Sequence, residues 1–204
     1  MKGTRNIGLI VIVGILVIFL FWGCNGYNGV VKQDENVKNM WSNVQSSYQR
    51  RADLIPNLVN TVRSEATFEQ QTLIQTIEAR YKNLGGIKVD PNQLTPENIQ
   101  KFQQAQGELS SALQRLMVVV ENYPNLKANE GFRNLQAQLE GTENRINTAR
   151  NDFNGAINTY NTKVRSFPMN LLAGMFGFSP KEGFKADEGS QNAPKIPENM
   201  METK

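Results

Sequence analysis

The chain has 204 residues, 39% hydrophobic and 20% charged, which suits one domain of about 100–150 residues with appendages. Its formal charge is +3, and setting aside Lys2 and Arg5 leaves +1; no basic stripe interleaved with aromatics follows, which excludes a nucleic-acid footprint. Histidine is absent and Cys24 is the one cysteine, so an internal disulfide, a Ser-His-Asp triad, a Cys-His pair and the Glu-x-x-His metal sites of helical bundles are excluded.

The first predicted element is an apolar run from Ile7 to Trp22. It carries Leu9, Ile10, Val11, Ile12, Val13, Ile15, Leu16, Val17, Ile18, Phe19, Leu20 and Phe21. A span needs about 17–25 residues, so this run is near the lower limit, with Gly23 and the interfacial aromatics Trp22 and Tyr27 extending it. Lys2 and Arg5 before it predict a cytoplasmic N-terminus and a domain outside the cytoplasm. Three readings stand. A retained single-span anchor is preferred. A lipoprotein signal, with Cys24 lipidated, trails because Phe21 and Trp22 are bulky where small residues are expected. A cleaved signal peptide lacks its small-x-small site.

Four blocks then keep an apolar seam at spacings of three and four. Val30, Val37, Trp41, Val44 and Tyr48 form the first, interrupted by Asp34. The second carries Ile55, Val59, Val62, Ala66, Leu73, Ile77, Tyr81 and Leu84, broken by Glu69. Ile99, Phe102, Leu109, Leu113, Leu116, Val120 and Tyr123 make the third, with Gln106 in the seam. The fourth runs through Phe132, Leu135, Leu139, Ile146, Ala149, Phe153, Ala156, Tyr160 and Val164. Breaks are read at Asp53/Pro56, at Gly85-Gly86 with Pro91 and Pro96, at Tyr123-Pro124-Asn125, and at Phe167-Pro168. Thr95-Pro96-Glu97 reads as cap, first-turn proline and favourable acid.

The expected architecture is all-α: an antiparallel up-down four-helix bundle with left-handed, coiled-coil-like packing, preceded by a single N-terminal transmembrane helix. The helices should cover about 27–51, 54–84, 96–123 and 126–166, with Trp41, Leu109, Leu113, Leu139, Ile146 and Phe153 in one core. A competing reading has Pro56 merely kink one long helix, leaving three. The divisions are an anchor over 1–26, a bundle over 27–166, a short apolar segment over 167–180 and a mobile tail over 181–204.

Two long stretches carry a family resemblance. WSNVQSSYQRRADLIPNLV, from Trp41 to Val59, is one; ENYPNLKANEGFRNLQAQLEGTENRINTARNDFNGAINTYN, from Glu121, is the other. With Asn28-Gly29-Val30 and Ala79-Arg80, they resemble the LemA family over roughly residues 27 to 178. The resemblance implies a single-span bacterial membrane protein with an antiparallel four-helix outer part and no established enzymatic activity. It also implies relatives that occur beside membrane metallopeptidases, one branch of which works at magnetosome membranes. Cys24, directly after the apolar run, departs from the family pattern.

Candidate sites are few. Glu65, Glu69, Glu78, Glu108, Glu140 and Glu143 fall almost entirely off the seams and read as solvated faces. No phosphate-binding glycine loop exists. Neither a catalytic residue nor a cofactor or metal is expected. Arg50, Arg51, Asp53 and Pro56 concentrate at the first expected turn; Glu121, Tyr123, Pro124 and Lys127 lie at the third. Both are candidate partner-binding turns, or turns held by residue-specific geometry, with Asp53 capping a helix and the arginines bonding to carbonyls at the preceding helix's end. Leu171, Leu172, Met175, Phe176 and Phe178 form a segment too short to span: it either covers the open end of the bundle or enters the membrane interface. The expected function is a membrane-anchored scaffold or adaptor binding another envelope protein. The alternative is a self-associating membrane organiser that contacts lipid through the C-terminal segment. An enzyme is opposed by the residue inventory, and the expected partners are the lipid bilayer and an envelope protein or a second copy.

Overall fold

A computed structural model describes residues 3–64, 68–84, 87 and 89–185. Among the described residues six helices follow in order: α1 (Gly3–Arg63), α2 (Phe68–Leu84), α3 (Pro96–Val120), α4 (Pro124–Ala128), α5 (Glu130–Arg165) and α6 (Met169–Leu172). Among the described residues there is no strand, and no helix is long and apolar enough to cross a membrane. The backbone is helical through Ile7–Trp22, but of those side chains only Val13 and Val17 are described, both exposed. The other anchor residues named above lie outside the described side chains.

No turn exists at Asp53: α1 passes through Pro56 and ends at Arg63, also crossing the expected 26/27 boundary unbroken. A proline inside a helix costs about 3 kcal/mol through its missing N–H and ring clash. Against that, Ile55, Leu58, Val59 and Val62 are all buried on one face, each worth about 1.5–3 kcal/mol. The burial wins. Nor do α1 and α2 form one kinked helix. Arg63 Nη2 lies 2.6 Å from Glu78 Oε1; on a continuous helix these residues would be about 22 Å apart at 1.5 Å per residue. Helix α2 therefore packs back along the end of α1.

Antiparallel order follows from side-chain pairings. Trp41 meets Phe102 of α3 and Phe153 of α5. One stretch further along α1, Arg51 reaches Gln106 and Ser110 of α3 and Glu143 of α5. Residue numbers thus rise together on α1 and α3 and oppose on α1 and α5. The helices run up, down, up and down, with α1 packed along α5 and α2 against α3. Local chemistry sets several helix ends. Thr95 Oγ1 accepts from Asn98 N and Pro96 takes the first turn of α3; Asn129 Oδ1 accepts from Phe132 N at the start of α5.

A single core was expected; two are present. The proximal cluster holds Trp41, Phe102, Ile146, Phe153 and Tyr160. The distal one holds Ile55, Leu58, Leu109, Leu113, Leu116 and Leu139. Between them in sequence on α1, α3 and α5 lie Arg51, Gln106 and Thr142, the three buried polar residues of the described chain. A polar layer therefore divides the seams.

The expected mobile tail is corrected in part. Beyond a cis Phe167–Pro168 bond and α6, the chain returns along α5, and Phe184 is buried against Trp41 and Phe153. Residues 186–204 lie outside the described residues.

Candidate functional site

Arg51 sits at mid-helix with its side chain 2% exposed. Nη1 donates to Ser110 Oγ at 2.6 Å and to Glu143 Oε2 at 3.1 Å. Nη2 donates to Gln106 Oε1 at 2.6 Å and to the Gln106 carbonyl at 3.3 Å. The Tyr48 ring lies beneath, 5.0 Å from the guanidinium carbon. Burial lowers the Arg51 pKa, and the Glu143 charge opposes that shift. Nε alone has no partner. This arrangement ties three helices at one level, as buried polar residues do when they fix register.

The residues expected around a first turn are therefore mid-helix. Arg51 does not bond carbonyls at a helix end; it points into the bundle. Asp53 caps nothing: it accepts from Gln49 Nε2 four residues earlier, at 2.7 Å. Arg50 and Asp53 line an open groove with Gln45, Gln49, Tyr81 and Lys82, while Pro56 is exposed. The other expected turn is real. Glu121 ends α3, Tyr123 and Pro124 start α4, and Lys127 is exposed in its last turn, with Leu126 buried beneath. The two residue sets do not share a surface made of turns, because only the second is a turn. Of the seam polars, Gln106 binds Arg51, Asp34 pairs with Lys38 and Lys181, and the Glu69 side chain lies outside the described residues.

At the opposite end, α6 and the turn after it pack onto the base of α1. A Cβ on Gly26 would come within 3.2 Å of Met169 Sδ, and Tyr27 meets the rings of Phe176 and Phe178. The five apolar candidates divide here. Leu172 and Phe178 pack against the proximal core, with Met169 and Ala173 buried beside them. Leu171, Met175 and Phe176 face outward at 62%, 82% and 50% exposure, joined by Phe167 at 73%. The segment is therefore both a cover and a ledge: one side closes the bundle, the other presents large apolar groups. Cys24, a free and exposed thiol, stands within α1 at this level. Among the described residues no group of three or more acidic or cysteine side chains is placed to hold a metal.

Residues 40–197 match the sequence profile of the LemA family. The chain belongs to the LemA family. Among curated relatives, Magnetosome protein MamQ 2 of Paramagnetospirillum magneticum (strain AMB-1) is 29% identical over 200 residues, covering 90% of this chain and 74% of the relative. Magnetosome protein MamQ of Magnetospirillum gryphiswaldense is 28% identical over 199 residues, with 90% and 73% covered. Protein LemA of Metamycoplasma hominis is 23% identical over 156 residues, covering 76% of this chain and 67% of the relative. In this LemA-family chain both quoted stretches lie inside the matched region, and they contain Arg51 and its partner Glu143.

Sequence reasoning missed the strap that follows the ledge. Asn154 and Asn161 on α5 hold it through Phe184 and Lys181. A signal existed: Asn147, Asn154 and Asn161 recur every seven residues, a polar ladder beside the apolar seam.

Proposed function

We propose that this chain is a membrane-anchored, non-enzymatic scaffold that binds another envelope protein. In this reading Ile7–Trp22 spans a bacterial cell membrane once, with the N-terminus cytoplasmic and the bundle outside; the apolarity this requires is read from the sequence, since most of these side chains lie outside the described residues, among which no helix is apolar enough to cross. One observation supports the anchor. Helix α1 continues past the ledge by the twenty residues Gly3–Trp22, about 30 Å at 1.5 Å per residue, which is the thickness of a bilayer's hydrocarbon core. The exposed Leu171, Met175 and Phe176 then fall at the lipid interface, where their burial is favourable. Membrane association agrees with magnetosome relatives, and Lys2 and Arg5 agree with the orientation. The bundle would stand on its anchor as one rigid rod and offer helical faces and the Glu121–Lys127 turn to its partner.

The exposed ledge also favours the second reading, a self-associating organiser of the membrane surface. Affinity capture of the tagged full-length protein from detergent-solubilised membranes separates the two. One stoichiometric protein partner supports the scaffold. Recovery of the chain with only lipid and copies of itself overturns it in favour of the organiser.

A further inference from the structure

Residues 179–185 are held in an unusual way: every described hydrogen bond they make outside themselves goes to a helix side chain, and none to another backbone group. Asn161 takes Lys181 with both ends of its carboxamide, accepting from its N–H at 2.8 Å and donating to its carbonyl at 2.9 Å. Asn154 treats Phe184 identically, at 2.9 and 3.2 Å. Tyr160 and Gln103 donate to the carbonyls of Ser179 and Lys185. The register is geometric. Seven residues of helix rise about 10.5 Å, and three residues of extended chain span about 10 Å, so two asparagines a heptad apart match every third peptide unit.

Side chains are selected as well. Lys181 Nζ lies 3.0 Å from Asp34 Oδ1 and over the Tyr160 ring. Phe184 stacks on Trp41 beneath the Arg150 guanidinium. A Cβ on Gly183 would collide with the Asn154 carboxamide, which cannot move without releasing Phe184. Main-chain capture combined with pockets for spaced side chains is how extended peptides are recognised.

We infer that the α5 face bearing Asn154 and Asn161, with Gln103, Asp34 and the Trp41–Phe153 cleft, is a recognition groove for an extended Lys-x-Gly-Phe peptide. Residues 179–185 are its tethered occupant, and a partner protein carrying the same pattern replaces them. The inference stands apart from the scaffold reading. A groove that takes no peptide leaves a scaffold its other surfaces, and a failed affinity capture leaves the groove intact.

The test uses the full-length Gly183→Ala variant, whose own strap is weakened while the groove side chains are untouched, and a fluorescein-labelled peptide matching residues 178–186. Anisotropy should saturate at one peptide per chain, and wild type should bind about tenfold or more weaker because its tethered segment competes at high effective concentration. Adding Asn154→Ala and Asn161→Ala to the variant should weaken binding to a similar degree, as should alanine in place of the peptide's phenylalanine. Should Gly183→Ala lose its helical circular dichroism, Phe184→Ala in the full chain replaces it with the same expectations. No saturable binding to the folded variant, equal binding to wild type, or indifference to the two asparagines overturns the inference.

Discussion

The guanidinium of Arg51 and the carboxylate of Glu143 meet at 3.1 Å across 92 residues of sequence, and they do so asymmetrically: Arg51 is buried, while Glu143 is 49% exposed. The arginine is therefore committed to the interior and the glutamate is not. Arg51→Ala should destabilise the bundle by about 1–3 kcal/mol, since it leaves the buried Gln106 carboxamide unpaired. Glu143→Gln should cost less than about 1 kcal/mol, because water already screens it. Urea unfolding of both variants measures the difference. Equal losses would mean that the ion pair, not the buried hydrogen-bond node, holds the layer.

Pro56 supplies a test of the long first helix. It is exposed and lies inside α1. Replacing an exposed mid-helix proline with alanine restores a backbone donor, so Pro56→Ala should stabilise by about 1–3 kcal/mol. A destabilised variant would return the reversal to that position.

The divided core predicts where truncation hurts. Leu113 is 7% exposed in the distal cluster, whereas Val118 on the same helix is 65% exposed. Leu113→Ala should cost about 2–5 kcal/mol and Val118→Ala less than about 0.5 kcal/mol, both read from urea midpoints at unchanged slope.

Two titrations bear on the strap. Burial pushes the Asp34 carboxyl up, but hydrogen bonds and charges from Lys181 and Lys38 together hold it below its ordinary value. A depressed folded pKa gives stability that is present above the unfolded pKa, about 3.9, and lost as pH falls through the folded one. The stability advantage of wild type over Asp34→Asn should therefore be intact near neutrality and vanish in acid below that range. Tyr160 behaves oppositely. Burial first, and then the Asp34 charge, push its hydroxyl up to about 12. Its stabilising share is complete below the unfolded value of about 10 and disappears as pH rises from there through the folded value. Comparison with Tyr160→Phe by ultraviolet titration should show one phenolate that forms only in that high window; its appearance near pH 10 in the folded protein would contradict the burial.

Much of the bundle was legible because helix seams repeat. Trp41, Phe102, Leu109, Ile146 and Phe153 are buried as their spacing predicts. The reversals were legible only where glycine or proline marks them, as at Pro96 and Pro124. The first differs because Pro56 is a strong local breaker overridden by burial of its neighbours, whereas the sequence between the end of α1 at Arg63 and the start of α2 at Phe68 has neither glycine nor proline. The same breaker obscures the polar layer: Gln106 stands out in its seam, but a turn at Asp53 leaves Arg51 outside any seam. Phe184 was illegible because one aromatic in a polar tail has no periodicity, and only packing against Trp41 gives it a place.

A nitroxide at Phe176→Cys reports directly on whether the apolar ledge seats the bundle on a bilayer. The label is read in a Cys24→Ser background after reconstitution into lipid vesicles, with Val118→Cys as the exposed distal control. At position 176 collisions with oxygen should exceed those with a water-soluble nickel chelate, and at 118 the order should reverse, because oxygen partitions into lipid and the chelate does not. Nickel accessibility at 176 equal to that at 118 would place the ledge in water and contradict its seating on the bilayer.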